Sequence, residues 1–318
     1  MKFVIIILTL FSAQLNAQLW RPQLKQINQK LDNISKKLDL IGVQDYYILK
    51  DSIIFHHIYD TIPIYDTIKN DYFLEDFEGE NWLDELNGQF KSISFLYSCS
   101  DISKNYYEIS TDPRNENNRV LHFRINDTCD YSGRVQMTFV PEDKKVYHFR
   151  QDYFISPDFA LLDNSSQWAW MSLIELWDQK NPEWGTSDPA GQARWSLSFE
   201  KTTTGHLRWK AYGQKKAPMN SDIFVYYSDF PIPIGQWFTI DFYFERGEQG
   251  RFITKIKIDN FEKTIFDLTV PTIYAGHYMP LNYMQTCKFY MNKQAIYYVK
   301  NHGGTCDMYF DNIKIFKN

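Results

Sequence analysis

From residue 73 onward, apolar and polar residues alternate at a period of two over short stretches. Val135, Met137 and Phe139 interleave with Arg134, Gln136 and Thr138, and Trp195, Leu197 and Phe199 interleave with Arg194, Ser196, Ser198 and Glu200. That period puts successive side chains on opposite faces of a strand. Runs rich in aromatic and β-branched residues predict strands at 134–140, 146–155, 168–177, 194–200, 207–212, 237–245, 251–258 and 308–316. Turn clusters separate them, among them Pro141-Glu142-Asp143, Thr203-Thr204-Gly205 and Gly247 to Gly250. Many short strands without helices between them predict an all-β sandwich or jelly roll. Pairing of 73–78 with 308–316 would bring the ends together and close one domain over 72–318.

The N-terminal part follows another rhythm. Leu24, Ile27, Leu31, Ile34, Leu38 and Ile41 recur at alternating steps of three and four, the seam of a short helix or coiled coil. So short a seam is marginal alone. It either joins copies of the chain into a homo-oligomer through 24–41 or lies on the main domain. Tyr-Asp-Thr-Ile then occurs twice within 58–71, and Pro63 blocks continued helix there. Residues 18–71 therefore read as a helical heptad segment followed by an extended linker. Ahead of them, Lys2, an apolar run over 3–11 and the small-residue end Asn16-Ala17 have the form of a signal peptide spanning 1–17. Its apolar run is too short to span a bilayer. The expectation is a secreted protein, periplasmic or extracellular, with no membrane span once processed.

Composition narrows the partners. Over 318 residues, 44% are hydrophobic and 23% charged, the profile of a folded chain. A net charge of -5 provides no global basic field, which argues against nucleic acid. Aromatic residues reach 17%, and such side chains both pack sheets and stack on sugar rings. Cys99, Cys129, Cys287 and Cys306 form an even set in an exported chain, which predicts up to two disulfides. Local pairing, Cys99 with Cys129 and Cys287 with Cys306, is the simplest of three connectivities. No pair has the spacing of zinc ligands.

The polar strand faces carry the candidate chemistry. Arg134, Gln136 and Thr138 share one face, as do His148, Arg150 and Asp152. Arg194, Ser196, Ser198 and Glu200 share another, and Arg208, Lys210 and Tyr212 a fourth. Each alone is an ordinary solvated face. If all four belong to one sheet, they make a basic, aromatic-edged surface on an acidic protein, suited to an extended anionic ligand.

The order of segments resembles the jelly-roll polysaccharide lyases of the alginate-lyase and heparin-lyase type, which share a concanavalin-like sandwich. The resemblance rests on Leu-Glu-Asp-Phe-Glu-Gly at 74–79, the arginine strand at 134, and the strands at 146–159, 168–177 and 235–244. Lys293-Gln-Ala-Ile-Tyr297 is similar to the late Lys-Ala-Gly-x-Tyr strand of that family. The resemblance implies β-elimination on an anionic, uronate-containing polysaccharide. A cationic or amide group neutralises the carboxylate, a base takes the C5 proton, and an acid protonates the leaving oxygen. By position, Arg134 would neutralise the carboxylate, Tyr297 would be the acid or both acid and base, and Lys293 would support the substrate.

This sequence departs from the family pattern. Arg-x-Glu becomes Arg134-Val-Gln136, and Gln-x-His becomes Glu175-Leu-Trp177, which removes the expected histidine base. Tyr297 could make both proton transfers, or Lys210, His148 or His302 could be the base. Gln136, Arg150, Glu175, Trp177, Arg194, Arg208, Tyr212 and Lys293 are then candidates for substrate binding. No cofactor is expected. A structural calcium ion is compatible with such sandwiches, although no acidic loop marks one.

Two rival readings use the same scaffold. The missing histidine and the abundant aromatics fit a non-catalytic carbohydrate-binding module, to which an oligomeric stalk would add avidity. A glycoside hydrolase would need paired carboxylates. Glu175 with Asp178 is poor, because residues three apart on a strand face opposite ways. Glu175 with Glu200 across strands stays open. Gly-x-Ser-x-Gly, a phosphate-binding glycine loop and His-Glu-x-x-His are all absent from the sequence.

Overall fold

A computed structural model describes residues 72–97, 104–128, 131–163, 165–179, 192–216, 221–273 and 278–316. It also gives the backbone of two short strands, β1 (Tyr47–Leu49) and β2 (Ser52–Ile54). The latter pair antiparallel within a unit comprising Met1–Lys69, and a second unit comprises Asn70–Asn318. The heptad segment, most of the linker, the signal peptide, Cys99 and Cys129 lie outside the described residues.

The second unit contains β3 (Tyr72–Glu75), helix α1 (Trp82–Asn87), β4 (Ser92–Tyr97), β5 (Asn105–Thr111), β6 (Arg119–Ile125), β7 (Ser132–Val140) and β8 (Val146–Ile155). A short helix α2 (Ala160–Asp163) follows, then β9 (Ala169–Asp178), β10 (Gln192–Lys201), β11 (Arg208–Lys216), β12 (Ser221–Ser228), β13 (Trp237–Glu245) and β14 (Gly250–Ile258). The chain continues through β15 (Phe261–Val270), β16 (Leu281–Gln285), β17 (Lys288–Asn292), helix α3 (Lys293–Asn301) and β18 (Cys306–Phe316).

These strands form two eight-stranded antiparallel sheets. The first runs β12-β11-β10-β9-β16-β7-β17, with β4 on β7 and a further pairing of β9 with β17. The second runs β15-β14-β13-β8-β18-β6-β5, with β3 on β18. The architecture is the jelly-roll sandwich expected from the strand pattern. The last strand is central: β18 pairs with β8 on one side, and on the other with β6 along its first half and β3 along its second.

The alternation read from the sequence decides which side chains fill the space between the sheets. Val135, Met137, Phe139, Trp195, Leu197, Phe199, Phe289 and Met291 from the first sheet meet Phe149, Tyr153, Phe242, Phe252 and Phe310 from the second. Burying aromatic groups of this size removes a large apolar area from water, about 25 cal/mol for each Å². The polar residues between them in sequence must therefore face outward from the sandwich. Gly213, at a bulge in β11, lies where an added Cβ would stand 2.7 Å from the Phe224 ring, so the closeness of those strands requires its missing side chain.

Two expectations fail. The segment read as a late lyase-like strand is helix from Lys293 onward, with Ala295, Ile296 and Val299 buried at helical spacing. Cys287 and Cys306 are both buried and both free thiols, so the expected bridge between them is absent. Gln151 donates to Cys287 Sγ at 3.1 Å in the core, and burial pushes the thiols of Cys287 and Cys306 each up to about 12.

Candidate active site on the open face of the first sheet

The outward face of the first sheet is assembled by register. Arg134 on β7 stands opposite Tyr290 on β17, and Gln136 opposite Lys288. Tyr290 is also partnered with Ser172 on β9. Glu175 faces Gln285 on β16 and Ser196 on β10, while Trp177 faces Tyr283 and Arg194. Ser196 and Ser198 then face Tyr212 and Lys210 on β11. Residues that are remote in sequence thus lie on one polar, aromatic surface.

At its centre is a buried charge cluster. The Lys288 ammonium donates to Glu175 Oε2 and, at 2.9 Å, to Gln285 Oε1. Arg194 reaches Glu175 Oε1 at 3.3 Å and donates through Nε to Gln214 Oε1 at 2.9 Å. Gln285 in turn donates to Thr138 Oγ1 at 3.0 Å. Burial alone would raise the Glu175 carboxyl. The adjacent positive charges of Lys288 and Arg194 outweigh it and hold the group below its usual range, so Glu175 is a carboxylate. Burial pulls the Lys288 ammonium down, Arg194 and Arg134 act in the same sense, and Glu175 opposes them.

Aromatic rings surround these charges. The Arg134 guanidinium lies 5.4 Å from the Tyr290 ring centre, and the Lys288 ammonium 5.2 Å from the same ring. Arg194 lies 5.3 Å from the Trp177 ring and 5.8 Å from that of Tyr212. Burial raises the Tyr283 and Tyr212 hydroxyls above the ordinary phenol value, with Arg194 opposing in both cases. These two phenols stay protonated. Arg134, Lys288 and Arg194 against Glu175 leave this region positive within an acidic protein.

No protein-family model and no curated protein sequence matches the chain. Solved structures do. The crystal structure of the marine PL-14 alginate lyase from Aplysia kurodai is similar over 74% of this chain and 94% of that one, at TM-score 0.50 and 14% identity. The two share the jelly-roll sandwich fold. An endo-β-1,4-glucuronan lyase from the fungus Trichoderma reesei is similar over 77% of this chain and 95% of that one, at TM-score 0.45 and 9% identity. Alginate lyase Aly36B is similar over 78% and 94%, at TM-score 0.42 and 13% identity.

Within this fold the candidate residues separate into three groups. Arg134, Gln136, Glu175, Trp177, Arg194, Arg208, Lys210 and Tyr212 all lie on strands of the first sheet and on its outward side, but Gln136, Glu175 and Trp177 are buried there, which removes them from direct substrate contact, whereas the other five are half-buried. His148 and Arg150 do not join them. Both sit on β8 in the second sheet, where Asp241 Oδ1 meets His148 Nε2 at 2.8 Å and Oδ2 meets Arg150 Nε at 3.1 Å. Alternation along β8 places them on that sheet's outer face, with the core between them and Arg134.

Lys293 and Tyr297 form a third group on α3, one helical turn apart. The Lys293 ammonium lies 5.4 Å from the Tyr297 ring centre, and Thr128 Oγ1 donates to the Tyr297 hydroxyl at 3.2 Å. They flank the connection between β6 and β7 instead of forming part of the sheet floor. His302, at the C-terminal end of α3, has Nδ1 2.8 Å from the Tyr298 carbonyl oxygen.

Reading the strands missed Lys288, Tyr290, Tyr283 and Gln285. Their signal was the alternation of Cys287, Phe289 and Met291 with Lys288, Tyr290 and Asn292, the same period that marked β7.

Proposed function

We propose that the domain is a polysaccharide lyase that cleaves an anionic, uronate-containing glycan by β-elimination. The observation that carries this reading is Tyr290, a phenol set between Arg134 and Lys288 on the floor of a positive, aromatic-lined face. Arg134 pairs with the uronate carboxylate and spreads the charge that develops when the C5–H bond is broken. Tyr290 is the proton-transfer group. As phenolate it takes the C5 proton, the electron pair forms the C4–C5 double bond, and the C4–O bond breaks. The same hydroxyl then protonates the departing oxygen, so protons and electrons balance without a cofactor. Arg134 and Lys288 place positive charge 5.4 and 5.2 Å from the Tyr290 ring centre, where negative charge develops, and the half-buried Arg194 holds the neighbouring sugar.

The hydrolase reading fares worse. Glu200 lies four residues along β10 from Ser196, the partner of Glu175, which separates the two carboxylates by about 13 Å at strand rise. Glycosidase pairs stand roughly 5–9.5 Å apart. Glu175, moreover, is an ion-paired carboxylate unsuited to the acid role.

Export through residues 1–17 belongs to the same proposal, since polymeric substrates of this class are met outside the cytoplasm. Incubation with alginate, glucuronan, ulvan and glycosaminoglycans, monitored by ultraviolet absorbance of new unsaturated ends, tests the activity. Silence with all of them, accompanied by retained binding to one, would leave a carbohydrate-binding module.

A further inference from the structure

Beyond the charged centre, the open face continues along aromatic rings that the elimination does not use. Trp170 meets Tyr290 edge-on at 4.7 Å, and Trp168 lies 6.5 Å from Trp170. Trp168 is 45% exposed, although its backbone is fixed. The buried side chain of Asn292 donates to the Trp168 carbonyl at 2.9 Å and accepts from the Trp170 amide at 3.0 Å. Asn292 belongs to β17, the strand of Lys288 and Tyr290, so the exposed indole is held in register with the centre.

Beside that indole stands Glu200. Lys210 and the Tyr227 hydroxyl both bind its Oε2, at 2.8 and 2.9 Å. Oε1 receives only the long 3.4 Å contact from the Trp168 indole N–H among the described residues. Arg208 covers the Tyr227 ring at 3.8 Å. An open indole face next to a carboxylate oxygen with spare acceptor capacity suits a sugar ring that stacks through its C–H face and donates a hydroxyl. At Oε1 itself a uronate carboxylate has nothing to donate and would face a second acceptor, the nearby cations Lys210 and Arg208 being engaged by Oε2 and by the Tyr227 ring.

We propose that Trp168 and Glu200 form a second sugar subsite that takes an uncharged pyranose. The glycan bound across the face then alternates a uronate, at Arg134 and Tyr290, with a neutral sugar. The alternation rests on the lyase reading, whereas the subsite itself does not.

Uncharged probes separate the two. Cellohexaose and N-acetylchitohexaose contain no uronate and cannot be eliminated, so calorimetric titration with each reads the subsite alone. The full-length protein should bind at least one of them. Trp168→Ala should weaken that binding roughly tenfold or more, and Glu200→Gln about tenfold, while His148→Ala, on the outer face of the other sheet, leaves it unchanged. Tyr227→Phe, which removes one oxygen beside Glu200, is a milder variant should Glu200→Gln disturb folding, and a several-fold loss is expected. Failure of both probes to bind, or binding indifferent to Trp168→Ala, would overturn the subsite. If the subsite stands, size-matched hyaluronan oligosaccharides, which alternate, should bind more tightly than glucuronan oligosaccharides, which do not. The reverse order would refute the alternation, and absorbance from unsaturated ends reports on the lyase chemistry independently of either result.

Discussion

Glu175 on β9 and Lys288 on β17, 113 residues apart, form an ion pair beneath the open face with side chains only 4% and 3% exposed. Arg194 and Gln285 complete the hydrogen bonding around it. Such a pair seldom adds stability over an apolar substitute of the same shape, yet breaking it leaves an uncompensated buried charge. Lys288→Met alone should cost about 3–5 kcal/mol in denaturant unfolding. The double variant Glu175→Leu/Lys288→Met should recover most of that stability while glycan cleavage stays abolished. Recovery of activity together with stability would show the pair to be merely structural.

Tyr290→Phe removes the oxygen proposed for proton transfer and keeps the ring. Turnover should fall by about 10²–10⁴-fold with glycan affinity little changed. Arg134→Ala should lower both, because it removes the group proposed to pair with the carboxylate as well. Tyr297→Phe on α3 is the informative control. Should it abolish turnover while Tyr290→Phe does not, the helix, not the sheet floor, carries the proton.

His148→Ala should leave cleavage within about twofold of the unsubstituted protein, because the residue stands on the outer face of the other sheet. Its partly exposed pairing with Asp241 makes the expected stability loss about 1 kcal/mol or less. Parallel kinetics and thermal melts measure both quantities.

Glu75 accepts the Phe77 amide at 2.7 Å through Oε1, which helps hold the buried Phe77 at a positive φ of 59°. Its Oε2 is buried without a partner among the described residues. Burial pushes this carboxyl up to about 7, with the Phe77 amide opposing. The folded state therefore binds the proton more tightly than the unfolded chain does. That stabilisation is complete below about pH 4.3, the unfolded value, and is lost as pH rises through about 7. Glu75→Gln keeps the acceptor without the charge. It should raise the melting temperature at pH 8 by several degrees, and the gain should vanish by about pH 4.

Cys287 and Cys306 should both carry the label when the denatured, unreduced protein is alkylated and its peptides are weighed. A linked peptide pair would contradict the structure.

Strand alternation revealed which residues share a face of one strand, and β8 and β13 run over the expected residues. It could not reveal which sheet a strand joins, since that depends on pairings far along the chain. His148 and Arg150 have the same local pattern as Arg134 and Gln136 and yet lie across the core from them. The segment after Asn292 shows the opposite difficulty. Ala295, Ile296 and Val299 carried a helical spacing, but likeness to the lyase Lys-Ala-Gly-x-Tyr strand pointed to an extended segment. Lys288 was obscured by the shortness of β17, five residues whose place between β7 and β9 is fixed by tertiary contacts.

Because β18 is laid between β8 and β6 and also receives β3, the second sheet lacks its middle until residues 306–316 have been synthesised. Until then β3, β6 and β8 lack the strand they share, so loss of residues 306–316 would strand the opening segment of the domain as well as its closing one.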